Sequence, residues 1–151
     1  MVQRTTEALA VLYEADETAW LEATADLARS GRLSEIDAGT LAEYLTDMAK
    51  RDRREVFSRL VVLLTHLLKW EYQPTHRSGS WRATIREQRR ELWQLLESGT
   101  LRNHASAVLA EAYAEARAQV SDETELEIGT FPAENPWRLD EAVSGPDSNS
   151  R

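Results

Sequence analysis

The chain has 151 residues, of which 42% are apolar and five are tryptophan, enough to bury the core of one ordinary domain and to exclude disorder outside the ends. It contains no cysteine, which excludes disulfides, thiolate zinc sites and iron–sulfur clusters and fits a reducing compartment. The formal net charge is −8, a sign that by itself argues against a nucleic-acid partner.

The N-terminal stretch MVQRTTEALAVLYEADETAW has no apolar run followed by a small-residue cleavage site, so no secretory signal is expected. The first predicted helix is capped by Asp16, carries Trp20, Ala23, Leu27 and Ala28 on its inward stripe, and ends at Gly31. A second is capped by Asp37, with Leu41, Leu45, Met48 and Ala49 facing inward. A polar link, Lys50–Arg54, leads into a third helix over Glu55 to Tyr72. Whether the second and third are continuous or kinked near Asp52 is left open by the pattern. In the third, Val56, Phe57, Leu60, Leu63, Leu64, Leu67 and Leu68 form an apolar arc too wide for a helix with one neighbour. Its run from Leu60 to Leu68 is interrupted by Thr65 and His66 and falls short of a membrane span.

Pro74 stops that helix, because the residue before a proline is pushed out of the helical region. After the turn Thr75–Gly79, Ser80 is the expected cap of a fourth helix reaching Ser98, with Gly99 as its terminator. Trp81, Ile85, Leu92, Leu95 and Leu96 make its core stripe, interrupted by Gln88. A fifth helix over Leu101 to Val120 buries Ala105, Val108, Leu109, Ala112, Tyr113, Ala116 and Val120. Beyond Ser121 the segment GTFPAENPW reads as extended, Pro136 as the first residue of a short last helix, and residues 144–151 as a disordered tail. The expected fold is therefore all-α: a compact bundle of about five helices with an extended C-terminal segment, in one domain over residues 1–143.

Charge is distributed in blocks. Residues 1–49 hold 3 Lys/Arg against 10 Asp/Glu, residues 50–102 hold 12 against 6, and residues 103–151 hold 3 against 10. Either the acidic ends fold back on the basic middle, or that middle stays open to an anionic partner. The fourth helix concentrates the question. Arg82, Arg86, Arg89 and Arg90 form a second stripe with Trp93, and the like charges at Arg82/Arg86 and Arg86/Arg90 cost a few tenths of a kcal/mol each unless something offsets them. With Arg77 these are the candidate anion-binding residues. The RSGSW turn adds helix N-terminal N–H groups suited to a phosphate or carboxylate, although an ordinary serine cap accounts for the same residues.

His66 sits between Val62 and Trp70 at the margin of the third helix's apolar arc, as a satisfied structural histidine or as an acid/base near neutral pH. His66, His76 and His104 have no metal-ligand spacing, and there is no phosphate-loop or dinucleotide glycine signature. No metal and no cofactor is expected.

The order HLLKW-x-YQP-x-x-RS-x-SW-x-x-TI-x-x-QR resembles the bacterial family called domain of unknown function twenty-nine. The resemblance extends upstream through Tyr13, Asp16, Trp20, Arg29–Gly31, Ile36–Asp37 and Leu41–Glu43. Downstream it takes in Ala112–Tyr113, Ala116–Arg117, Thr130–Pro132 and Pro136, covering roughly residues 12–143. Where the family often carries two consecutive acidic residues this chain has Glu43–Tyr44, so a role needing both carboxylates does not carry over. The family's proline-containing link is Ser98–Gly99–Thr100 here. The resemblance implies a helical fold and supplies no activity. The matching positions are His66, Lys69, Trp70, Gln73, Arg77, Ser78, Ser80, Trp81, Gln88, Arg89, Tyr113 and Arg117. They can constitute a binding site, or one hydrogen-bond network fixing the turn between the third and fourth helices.

Two functional readings follow. The first is a cytoplasmic, non-catalytic protein-interaction or regulatory module, binding another protein or itself. The second is a nucleic-acid-binding or RNA-processing protein using the arginine stripe, with Trp93 for stacking and His66 as an acid/base. An enzyme acting on a small anion at the RSGSW turn would need a concave pocket beside His66. No reading calls for a membrane.

Overall fold

A computed structural model describes residues 2–145 of the chain. Its helices are α1 (Val2–Ala15), α2 (Glu17–Arg29), α3 (Ala38–Tyr72), α4 (Gly79–Leu95), α5 (Gly99–Thr124) and α6 (Leu139–Ser144). Single 3₁₀ turns lie at Leu33–Glu35, Pro74–His76 and Ile128–Thr130. The described residues contain no strand, so the fold is all-α, as the helical periodicity implies. The chain divides into two compact units, one ending at Lys50 and one beginning at Arg51. The division falls inside α3, which runs without interruption past Asp52.

In the first unit, Asp16 caps α2 by accepting the Ala19 N–H at 3.1 Å, as expected. The helix before it, α1, is absent from the predicted elements. Trp20 is fully buried, with the Tyr13 ring 4.9 Å away edge-on and the Tyr44 ring at 5.6 Å. This stack explains a difference on α3. Leu41, Tyr44 and Met48 are the half-buried positions, while Leu45 and Ala49, expected to face inward, are exposed. Tyr44 takes the inward direction because its ring closes the stack. On α2, Thr24 is buried and Ala28 is exposed. Asp37 caps α3 as expected, accepting from the Thr40 N–H at 3.2 Å and the Thr40 hydroxyl at 2.6 Å.

The second unit holds the main core. Val56, Leu60, Leu63, Leu64, Leu67 and Leu68 of α3 are buried with Ile85, Leu92, Leu96, Ala105, Ala112, Tyr113, Ala116 and Val120, and Phe131, Ala142 and Val143 close it from the C-terminal segment. Helix ends differ from expectation in four places. Ser78, not Ser80, caps α4, accepting the Trp81 N–H at 3.3 Å. Helix α4 ends at Leu95, and Gly99 is the first residue of α5, which Ser98 caps at 3.3 Å through the Leu101 N–H. Helix α5 passes Ser121 and ends at Thr124. Helix α6 begins at Leu139 rather than Pro136, with the Arg138 N–H donating to the Glu141 carboxylate at 3.2 Å. The expected tail, 144–151, lies outside the described residues apart from Ser144 and Gly145.

Candidate functional site

The joint between α3 and α4 is built from the backbone outward. Gln73, held at φ −129° and ψ 61° ahead of Pro74, ends the helix. Trp70 has lost the continuation of its helix, and its carbonyl accepts the Arg77 Nε–H at 2.7 Å. The same guanidinium lies 4.7 Å from the Trp70 ring centroid, and that of Arg82 lies 5.7 Å from it. Two cations thus share one indole, each contact contributing about 0.5–1 kcal/mol at an exposed site. Ser78, next in the chain, is the cap already described. Ser80 is exposed and Gln73 half-buried.

One turn earlier on α3, Lys69 forms an ion pair with Glu123 of α5, and its ammonium lies 5.7 Å from the Trp81 ring. Gln119 also donates to Glu123, at 2.9 Å. Partial burial alone would raise the Glu123 carboxyl. The hydrogen bonds from Lys69 and Gln119, and the nearby positive charge of Lys69 and His66, outweigh it and hold the group below the ordinary carboxylate range. His66 Nδ1 stands 2.9 Å from the Val62 carbonyl. A carbonyl only accepts, so Nδ1 carries a proton directed at it.

The remaining block residues reach other parts of the unit. Gln88 accepts from Arg59 at 3.2 Å, and Arg59 also pairs with Glu55 at 2.9 Å and Glu91 at 3.8 Å. Arg89 Nε donates to the Ala142 carbonyl of α6 at 2.9 Å. Arg117 donates to the Phe131 carbonyl through Nε and a terminal nitrogen, at 3.3 and 3.2 Å. The Tyr113 hydroxyl donates to the Pro132 carbonyl at 2.5 Å. Burial raises the Tyr113 phenol above its usual range; the Arg117 charge opposes this and Tyr72 adds to it. The Tyr72 ring meets Phe131 edge-on at 5.4 Å.

Ten of the twelve block positions therefore gather as three sets: Trp70, Arg77 and Ser78 at the joint; His66, Lys69 and Trp81 about the Lys69–Glu123 pair; and Gln88, Arg89, Tyr113 and Arg117 bracing neighbouring segments; Gln73 and Ser80 join none of them. Of the five arginines expected to bind anions, Arg89 is turned onto α6, whereas Arg77, Arg82, Arg86 and Arg90 are exposed. Among the described residues no three His, Asp or Glu side chains are grouped to hold a metal ion, and no helix is long and apolar enough to cross a membrane.

A family model described as domain of unknown function DUF29 matches residues 12–145. The chain belongs to that family. No curated protein and no solved structure matches it. In this DUF29 chain, Glu123 is the residue of the Lys69 set that sequence reading passes over. It lies seven positions beyond Ala116 and so on the same helical face, a carboxylate extending an otherwise apolar stripe. That signal was present. The carbonyls of Trp70, Phe131, Pro132 and Ala142 carry none, because backbone acceptors are alike in every sequence. The Glu43–Tyr44 departure acquires a physical meaning: Tyr44 packs on Trp20, where a carboxylate would face an indole.

Proposed function

We propose that this DUF29 chain is a non-catalytic protein-interaction module whose partner docks on the first unit. The observation that carries this reading is the exposure of aliphatic side chains on that unit: Val11 is 69% exposed, Leu33 65% and Leu45 58%. Leu45 lies on a stretch of helix whose inward face is already filled by Tyr44. A contiguous patch of exposed apolar side chains marks an interaction surface, and in the proposed reading these three belong to one. The first 49 residues hold 10 acidic against 3 basic side chains, so a basic protein segment with apolar anchors is the complementary partner. The non-catalytic half of the reading is supported by how the block's polar groups are occupied. Arg77, Arg89, Arg117 and Tyr113 are each bound to a backbone carbonyl, and Lys69 is paired with Glu123.

The test is site-specific photo-crosslinking in the native host, with the photo-reactive residue placed in turn at positions 11, 33 and 45. One protein adduct common to at least two positions, and lost on Leu45→Glu when the other positions carry the crosslinker, is the expected result. No adduct, or an adduct insensitive to Leu45→Glu in a variant that keeps its helical spectrum, overturns the reading. An adduct of twice the chain mass identifies a second copy as the partner.

A further inference from the structure

Helix α4 presents to solvent a basic face that its own fold compensates at Arg90 and not at Arg82 or Arg86 among the described residues. At about 100° per residue, Arg82, Arg86, Arg90 and Trp93 fall within a quarter-turn of one another. All four are exposed, Trp93 by 53%. Arg90 pairs with Glu91, its neighbour on the same helix, at 3.3 Å. The Arg82 guanidinium lies over the Trp70 ring, and neither Arg82 nor Arg86 has an ion pair within 4.0 Å among the described residues. The acidic C-terminal segment sends Asp140 to Arg102 instead, at 3.1 Å. The like charges of Arg82 and Arg86 at i,i+4 therefore stand without a carboxylate partner among the described residues, with a stabilising cation–π contact at one end of the stripe and a half-exposed indole at the other.

We infer that this face binds a single strand of nucleic acid, the arginines taking successive phosphates and Trp93 stacking a base. Two features select that occupant. Arginines four apart on a helix advance by about 6 Å per step, comparable to the distance between neighbouring phosphates along a sugar–phosphate chain. An acidic peptide would satisfy the charges but gives Trp93 nothing planar to stack upon, whereas every base offers a ring face. The surrounding segment is itself basic, with 12 Lys/Arg against 6 Asp/Glu over residues 50–102, so the local field attracts the strand despite the chain's net charge of −8. Only phosphates and ring faces are engaged, so RNA and DNA strands bind alike. No residue of this face is among those proposed on the first unit, and either proposal can fail without the other.

The experiment is fluorescence anisotropy with labelled single-stranded 12-mers of RNA and DNA, titrated between ~50 mM and ~200 mM salt. Both strands are expected to bind at the low end, with a logarithmic salt slope of about −2 if three arginines each neutralise one phosphate. The triple variant Arg82→Ala/Arg86→Ala/Arg90→Ala flattens the slope and abolishes binding. Trp93→Ala weakens binding about five-fold or more and leaves the slope unchanged. A lysine triple at the same positions keeps the slope, which separates charge from folding. The inference is overturned if neither strand binds at low salt, or if the alanine triple binds as well as the parent. It is equally overturned if poly-glutamate displaces the strand and Trp93→Ala has no effect, which would make the face a site for acidic protein segments.

Discussion

The guanidinium of Arg89 occupies the space that a side chain on Gly145 would need. A Cβ built on Gly145 would stand 2.6 Å from one terminal nitrogen of Arg89 and 2.9 Å from its Cζ. Gly145 also holds φ 76° and ψ 173°, a region essentially restricted to glycine. The arginine cannot swing aside freely, because its Nε is bonded to the Ala142 carbonyl at 2.9 Å. The chain thus leaves α6 directly over the cation that fastens α6 to α4.

Gly145→Ala is accordingly expected to destabilise the protein by about 1–3 kcal/mol from backbone strain alone, with a further loss from displacing Arg89. Arg89→Ala removes the obstacle and the Ala142 bond together. Chemical denaturation of both single variants and the double should then give a double less destabilised than the sum of the singles. Strict additivity would mean that the two groups do not share the space.

The two serines of the RSGSW turn make different contributions. Ser78 accepts the Trp81 N–H, whereas Ser80 is exposed and makes no side-chain hydrogen bond among the described residues. Ser78→Ala is expected to cost about 1 kcal/mol and Ser80→Ala to leave the denaturation midpoint within error. The reverse order would restore the cap to Ser80.

This pair shows what the sequence could and could not convey. Both serines are good caps by residue type, so composition leaves them tied. The tie is broken by Arg77, whose bond to the Trp70 carbonyl holds the chain extended into Ser78. Gly99 misleads for a related reason: glycine after an apolar stripe suggests a terminator, but Ser98 caps a new helix and the glycine becomes its first residue. The apolar arc of α3 and the stripe of α5 were legible because burial repeats with the helical period in the residues themselves. Leu45 was not, since Leu45 and Tyr44 are both apolar enough to face inward and only the Trp20 stack chooses between them. The site shows the same division: its side chains are conspicuous, while most of their acceptors are carbonyls.

Tyr113 ties the C-terminal segment to α5 through a half-buried bond, its hydroxyl lying 2.5 Å from the Pro132 carbonyl. Tyr113→Phe keeps the ring and strands that carbonyl. The expected loss is about 1–2 kcal/mol, read as a fall in melting temperature of a few degrees. Ultraviolet titration of the parent should show two tyrosines ionising above the usual range, Tyr113 and Tyr13, since burial raises both phenols, and Tyr113→Phe should remove one of the two.

Glu123 contributes to the acid response of the second unit. Its carboxyl is held below the ordinary value of 4.5, so in the pH range just under that value the folded chain binds fewer protons than the unfolded one. The stabilisation is therefore fully present above 4.5 and is lost as pH falls through the depressed folded value. The side chain is 39% exposed, so solvent screening limits the contribution to about 1 kcal/mol or less. Glu123→Gln removes the titrating group while retaining a hydrogen-bond acceptor for Lys69. Denaturation midpoints of parent and variant should differ most near neutral pH and converge below the carboxylate range. A gap between them that stays constant with pH would place the effect in packing at α5 rather than in the ion pair with Lys69.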